Sequence, residues 1–292
     1  MRLLVLGRSG QVGRALTQSL QGLGELIALD RAQLNLASAD AIRTVLRELQ
    51  PQIIINAAAY TAVDAAESDE ATAFQINAEA PRVIAEESER LGATLIHYST
   101  DYVFDGGKQG AWLEDDATAP LSVYGQSKLA GEQAIADVGG SHLILRTSWV
   151  YGLQGKNFLL TMLKLAETRD ELAIVDDQIG APTWAVTIAD ATAAIIRDSG
   201  ELAQLAALSG VYHLCAGGYT SWFGFAQTIF SHASIHRKPK LRPISTAEYP
   251  TPAQRPRNSR LNTDKFRHAF GDLPAWDDAL QACLQERLGS SA

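Results

Sequence analysis

Cysteine is nearly absent. Only Cys215 and Cys283 occur in 292 residues, with no C-x-x-C pair. That excludes a secreted disulfide framework and leads us to expect a reducing, cytoplasmic setting. Positive charge is also in deficit: 25 Lys and Arg stand against 33 Asp and Glu, a formal net charge of −8. Nucleic acid and anionic membrane are poor partners for such a chain, although a local cluster of cations can still take an anionic small molecule. Long apolar runs are missing too. The start, MRLLVLGRSG, is too short an apolar run for a signal peptide, and no stretch reaches the roughly 18 residues of a membrane-crossing helix. Proline is sparse, at 10 residues, and there is neither an internal repeat nor a low-complexity tract. What remains is a globular composition, 46% hydrophobic and 20% charged, long enough for one large α/β domain or two domains sharing a cleft.

Strand and helix patterns alternate. LLVLG (3–7) is a short apolar run of the kind buried on both faces of a parallel sheet. A helical period follows from Gly10 to glycines at 22 and 24, and ELIALD ends a second strand at Asp30. A helix from about Ser38 to Leu49 precedes Pro51 and the strand QIIIN, and a helix over Glu70–Leu91 precedes the strand ATLIHYST. The helix that carries Tyr124 then leads to a fifth strand, HLILRTS. This spacing predicts a doubly wound, Rossmann-type α/β fold with right-handed crossovers. Beyond Trp149 the alternation weakens: helical NFLLTMLKLAETR, turn-rich DQIGAPTW, helical VTIADATAAIIRDS and a strand in GVYHLCAGG. We expect residues 1–148 plus about 184–218 to form a cofactor-binding domain. Residues about 149–183 plus 219–292 would form a smaller C-terminal substrate-binding lobe.

Ligands of open α/β sheets bind outside the carboxyl ends of the strands, and unusual residues gather there. Gly7-Arg8-Ser9-Gly10-Gln11-Val12-Gly13 is a G-x-x-G-x-x-G between a strand and a helix. Its glycines permit a tight turn and close approach to a pyrophosphate, whose charge a helix N-terminus favours. Asp30 stands where an acid accepts hydrogen bonds from an adenosine ribose, which favours NADH. Arg31 next to it suits a 2′-phosphate, so NADPH stays open. A capping aspartate is the plainer reading. Asn56-Ala57-Ala58-Ala59 offers small side chains against which a flat cofactor can lie, or merely close helix–strand packing. Ser99-Thr100-Asp101 presents hydroxyls to a carbonyl, or an ordinary helix cap.

Tyr124 and Lys128 lie at i and i+4, one turn apart on one helix face. A hydride delivered to a ketone carbon needs a proton at its oxygen. Tyrosine, with an ordinary pKa near 10, titrates too high for easy transfer at neutrality. An ammonium beside it would lower that value toward the working range, with Thr100 holding the carbonyl oxygen in reach.

GRSGQVG, NAAAYTAVDAAE, HYSTDYVFDG, YGQSK, RTSWVYG, DQIGAPT and RPRNSRL occur in this order. The set, from Met1 to about Leu261, resembles the extended short-chain dehydrogenase/reductases, in particular their reductases of dTDP-linked keto sugars. The resemblance implies reduction of the C4 ketone of dTDP-4-dehydro-L-rhamnose by NADPH or NADH, with Tyr124 as proton donor and Lys128 as its partner. It further implies that Gly10, Gln11 and Val12 hold the pyrophosphate and that Asp30, Asn35 and Leu36 surround the adenosine. Ala59, Tyr60 and Thr61 would lie along the cofactor. Thr100, Asp101 and Trp149 would touch the sugar, with Asn157, the turn from Gln178 to Thr183, and Arg255 on the diphosphate side. Relatives usually carry aspartate where Asn35 stands. Some dimerise around Mg²⁺ held by glutamates, but the aligned positions here are Ala15 and Val186, which cannot coordinate a cation. The expected assembly is a monomer or homodimer. His232 and His236 sit at i, i+4, yet HASIH lacks the glutamate of a zinc motif, so no metal site is expected.

Three rivals remain on this scaffold. A dehydratase needs an acidic pair after the threonine, and here Tyr102 follows Asp101. An epimerase returns the hydride to its substrate. A non-catalytic regulatory subunit keeps the motifs without turnover.

Overall fold

The computed structural model describes residues 1–233 and 238–289. His236, and with it the histidine pair, lies outside the described residues.

Six parallel strands form the central sheet: Arg2–Leu6, Glu25–Leu29, Ile53–Asn56, Thr94–Thr100, His142–Thr147 and Gly210–His213. In space they run sixth, fifth, fourth, third, first, second. The order reverses beside the first strand, so the crevice between the first and third strands is the switch point where such sheets take ligands. Register brings the carboxyl ends level. Leu6 pairs with Asn56, Asn56 with His97, and Thr100 with Thr147.

Alternation along the strands feeds two cores. Leu3, Val5, Ile53, Ile55, Leu143 and Leu145 face Leu16, Leu20 and Ile188 on one side. Leu4, Leu6, Ile54, Leu95 and Ile144 face Ile42, Leu46, Val83 and Ile84 on the other. Continuous apolar strands follow from burial of both faces. Ala15 and Val186 belong to the first core, their small apolar side chains turned to its packing.

A third cluster joins Tyr151, Leu159, Met162 and Leu163 to Phe225, Ile229 and Phe230, and to Leu280, Cys283 and Leu284 of the last helix, Trp276–Gly289. A fourth, smaller one gathers Val103, Phe104, Trp112, Ala181, Cys215 and Leu261. Both cysteines are buried and unpaired.

The helix expected over residues 70–91 is in fact three pieces. Glu70–Phe74 and Ala80–Leu91 are α-helical, and a wider π turn, Gln75–Glu79, separates them. Pro81 has no N–H to return to the Asn77 carbonyl four residues earlier. That carbonyl instead lies where a side chain on Gly131 would be, 2.1 Å from the position of an added Cβ. Near the end of the chain a strand forms despite Pro243 within it: Lys240–Ile244 pairs in parallel with Glu171–Val175. No described helix is long and apolar enough to cross a membrane.

Candidate active site

The glycine loop opens at the switch point. Gly7 adopts φ +87°, and a Cβ there would meet the Ala58 backbone at 2.8 Å. A Cβ on Gly13 would sit 2.1 Å from the Gly7 carbonyl, so the helix Gln11–Ser19 can approach the loop only because Gly13 lacks one. Gly10 caps that helix without a side-chain bond, and no acid occupies its first turn. Its first N–H groups are therefore donors awaiting an anion, which fits a pyrophosphate. Val12 packs its side chain against the core and so offers only its backbone N–H. The Gln11 side chain accepts from Asn157 Nδ2 at 2.7 Å.

At the adenosine side, Asp30 Oδ1 accepts from Ala32 N and Gln33 N while Oδ2 pairs with Arg8 Nε at 3.2 Å. The capping role and an acid facing the glycine loop thus coexist in one side chain. Arg8, rather than Arg31, is the cation held beside it. Asn35 Oδ1 accepts from Ala37 N in a local turn, leaving its amide N–H groups outward. Leu36 is buried in the second core, so its backbone is what borders the site.

Ala59, Tyr60 and Thr61 follow the third strand, and one residue outside the motifs holds them. Asn77, on the π turn, accepts from Tyr60 N at 2.8 Å and donates to Tyr60 O and to Ser127 Oγ, both at 3.0 Å. It ties the loop to the tyrosine helix, Val123–Val138. Tyr60 OH donates to Asp69 Oδ2 at 3.2 Å.

The fourth strand ends at Thr100, whose hydroxyl lies close enough to the Tyr124 phenol to act on its titration, donates to Asp101 Oδ1 at 3.2 Å and accepts from Tyr102 N. Thr100, Asp101 and Tyr124 are therefore together, as expected. Burial pushes the Tyr124 phenol above its ordinary pKa; the Thr100 hydroxyl opposes the shift, and the charges of Asp101 and Tyr102 add to it. This reverses the expected depression of the phenol: burial dominates, and Lys128, bonded elsewhere, does not offset it. Its Nζ donates to the Tyr98 carbonyl at 2.7 Å and lies 3.2 Å from His97 Nε2. Burial lowers Lys128 to about 8, with Glu132 acting the other way. The i, i+4 spacing puts the two side chains on one face, but a long lysine side chain reaches past the tyrosine to the strand beneath.

Arg255 reaches the same edge from the tail. It pairs with Asp64 at 2.8 Å and with the Tyr102 hydroxyl at 3.3 Å, and Tyr102 packs edge-on to Tyr124 with ring centroids 5.6 Å apart. Four buried polar atoms have no hydrogen-bond partner at the ends of the fourth and fifth strands: Ser99 Oγ, Asp101 Oδ2, Thr147 Oγ1 and Ser148 Oγ. Unpaired groups so placed fit a site built to meet a polar ligand.

Trp149 follows directly, at φ +49°, stacked flat on Trp222 with centroids 3.6 Å apart. Gly180 permits this, since an added Cβ would lie 2.5 Å from the Trp149 ring. Gln178 accepts from Trp222 Nε1 and donates to Thr246 Oγ1, both at 3.1 Å. Gln178 therefore positions an indole. Thr183 is buried, donating to Ala181 O and accepting from Ala216 N, which makes it a fastening of the turn. Asn157 caps the helix Phe158–Ala166 through Leu160 N and gives its amide to Gln11 and to Gly152 O. Its side chain faces the glycine loop.

Asn77, His97, Trp222 and Asn258 were not singled out from the sequence. Asn258 donates to Lys108 O and Gly110 O and accepts from Arg260, fixing the loop after Asp105. An imidazole directly after the apolar pair Leu95-Ile96 of a buried strand, as His97 is, was the available signal; Asn77 and Trp222 carry none within their helices.

Residues 1–288 match the family model described as RmlD substrate binding domain. The dTDP-4-dehydrorhamnose reductase of Burkholderia thailandensis is 46% identical over 296 residues, covering 99% of each chain. The protein of that name from Escherichia coli is 46% identical over 301 residues, covering 100% of each. Among solved structures, dTDP-4-dehydrorhamnose reductase from Bacillus anthracis in complex with NADP superposes with a TM-score of 0.91 at 36% identity, covering 98% of this chain and 99% of that one.

Proposed function

The chain belongs to the RmlD substrate binding domain family and is an NADPH- or NADH-dependent reductase; from that premise we propose that it reduces the C4 ketone of dTDP-4-dehydro-L-rhamnose to dTDP-L-rhamnose, with Tyr124 as the proton donor. The observation that carries this reading is the Thr100–Tyr124 hydroxyl pair, set at the carboxyl end of the fourth strand beside a glycine loop with unclaimed backbone donors.

The nicotinamide supplies a hydride when bound. The protein's own groups do the rest. Backbone N–H groups of Gln11 and Val12, at the helix start that Gly10 caps, take the pyrophosphate, with Asp30 and Arg8 at the adenosine end. Thr100 orients the ketone oxygen. Tyr124, whose burial keeps the phenol protonated at neutrality, gives its proton as negative charge develops on that oxygen. Lys128, one turn along the same helix, supports the resulting phenolate when it carries a proton. The flat Trp149–Trp222 pair offers a platform to the sugar, and Arg255 meets the diphosphate by giving up Asp64. The third hydrophobic cluster supports reading residues 149–183 and 219–292 as the lobe that carries this nucleotide side. Tyr102, occupied by Arg255, leaves the second carboxylate of a dehydratase without a position.

The test is reduced-cofactor oxidation with dTDP-4-dehydro-L-rhamnose, in wild type and Tyr124→Phe. Stoichiometric oxidation that falls by about 10²–10⁴-fold in the variant, with cofactor affinity kept, is expected. Oxidation that survives the substitution overturns the role of Tyr124. Bound cofactor without oxidation points to the epimerase or the regulatory subunit.

A further inference from the structure

Asn56, His97 and Lys128 form a hydrogen-bonded row across the third strand, the fourth strand and the tyrosine helix, with exposures of 1%, 0% and 2%. Its hydrogens can be counted. Ala58 N–H donates to Asn56 Oδ1 at 3.2 Å. A backbone N–H can only donate, so the oxygen of Asn56 is fixed toward Ala58 and Nδ2 faces His97 Nδ1, 3.1 Å away. Nδ1 must therefore accept. A neutral imidazole has one N–H, which is then on Nε2 and aimed at Lys128 Nζ at 3.2 Å. An N–H pointed at Nζ needs a lone pair there, and an ammonium has none.

We propose that His97 is a positioning residue that holds Lys128 as a neutral amine in the free protein at alkaline pH, and that protonation of Lys128 is coupled to a change of imidazole tautomer and a turn of the Asn56 amide. When Nζ takes a proton from solvent, Nε2 must become its acceptor. The imidazole proton then sits on Nδ1, Asn56 rotates to offer Oδ1, and the Ala58 N–H is released. Ala58 borders Gly7, so the charge state of the lysine is communicated to the backbone on which the glycine loop rests. This inference rests on the proposed reading only where it assigns Lys128 a part in supporting Tyr124.

The surroundings agree. Burial and the nearby lysine hold His97 well below its ordinary pKa, which removes the doubly protonated imidazole. Facing Lys128 are His97 and the Tyr98 carbonyl from the fourth strand, and Glu132 from its own helix. Glu132 is itself bound to Arg146 of the fifth strand at 2.7 Å. Lys128 lies near 8, so the exchange falls in an accessible pH range.

The experiment is ¹⁵N-histidine NMR of the full-length, cofactor-free protein from about pH 6 to about pH 10, with His97 assigned through His97→Gln. The Nε2–H tautomer is expected at the alkaline end, giving way to Nδ1–H on acidification, with the inflection abolished in Lys128→Met. A single tautomer throughout, or an unchanged inflection in Lys128→Met, overturns the proposal. A second readout is the pH profile of NADPH affinity. Its inflection is expected to move by about one unit in His97→Leu and to return in His97→Gln, whose amide can both donate and accept. A uniform loss of affinity with an unmoved profile would make His97 a packing residue. Neither readout needs turnover, so failure of the proposed reduction and failure of this coupling are separable.

Discussion

Burial raises the Asp101 carboxyl to about 6, with the Ser259 and Thr100 hydroxyls offsetting part of the shift. The folded protein keeps a proton there in a window, from about pH 4 to about pH 6, where the unfolded chain has released it. Stability therefore falls as pH rises through that window, and the deficit is complete above it. Asp101→Asn removes the charge while keeping the shape. We expect urea unfolding to show the variant more stable near pH 7, by on the order of 2–3 kcal/mol, with the gain vanishing below about pH 4. If Asp101 touches the sugar, the same variant has a raised KM. Single residues of this kind were readable as a group: Thr100, Asp101 and Tyr124, picked out of two separate stretches of motif, lie together at the end of the fourth strand. The direction taken by Lys128 was not readable, since spacing fixes a face of the helix and says nothing of how far a flexible side chain reaches beyond it.

Elements meet the site through a few close contacts. The π turn Gln75–Glu79 puts the Asn77 amide against both the cofactor-side loop and the tyrosine helix. Asn77→Ala would strand the Tyr60 N–H and the Tyr60 carbonyl, at a cost of about 2–4 kcal/mol in chemical denaturation, together with weaker cofactor binding by titration calorimetry. Gly13→Ala is expected to act more narrowly. Its methyl collides with the Gly7 carbonyl, so the helix must back away from the loop; cofactor Kd should rise at least tenfold while the thermal midpoint drops modestly. At this scale the sequence was most legible for the strands and their following helices, where a period of apolar residues meets a glycine or proline stop. The break inside residues 70–91 escaped it. Pro81 announces a lost hydrogen bond, but whether a helix stops, kinks or widens there depends on Gly131 of another helix leaving room for the Asn77 carbonyl.

Across the whole molecule, two cores flank the sheet and a third, aromatic-rich one supports Trp149 and Trp222. Phe158 packs on Trp222 and on Phe225, and Trp276 packs edge-on to Phe225. The last helix is part of this support: Leu280 is fully buried. Leu280→Ala should destabilise by about 2–5 kcal/mol, and calorimetry of the variant should show whether the third core melts apart from the sheet. No element was read over residues 276–289 from the sequence, although Trp276, Leu280, Cys283 and Leu284 recur at a helical period. The placement of their partners, drawn from segments more than a hundred residues apart, was not legible either. The same burial has a practical corollary for probe chemistry. Desolvation raises the thiols of Cys215 and Cys283, the latter to about 12, so at neutral pH neither offers a thiolate to alkylating or maleimide reagents. A cysteine introduced at an exposed position such as Leu113 or Tyr249 would be the one reactive thiol of the folded chain. The natural sequence thus serves, unaltered, as a silent background for site-specific dyes, and distances between such labels report whether the loops move when a candidate ligand is added.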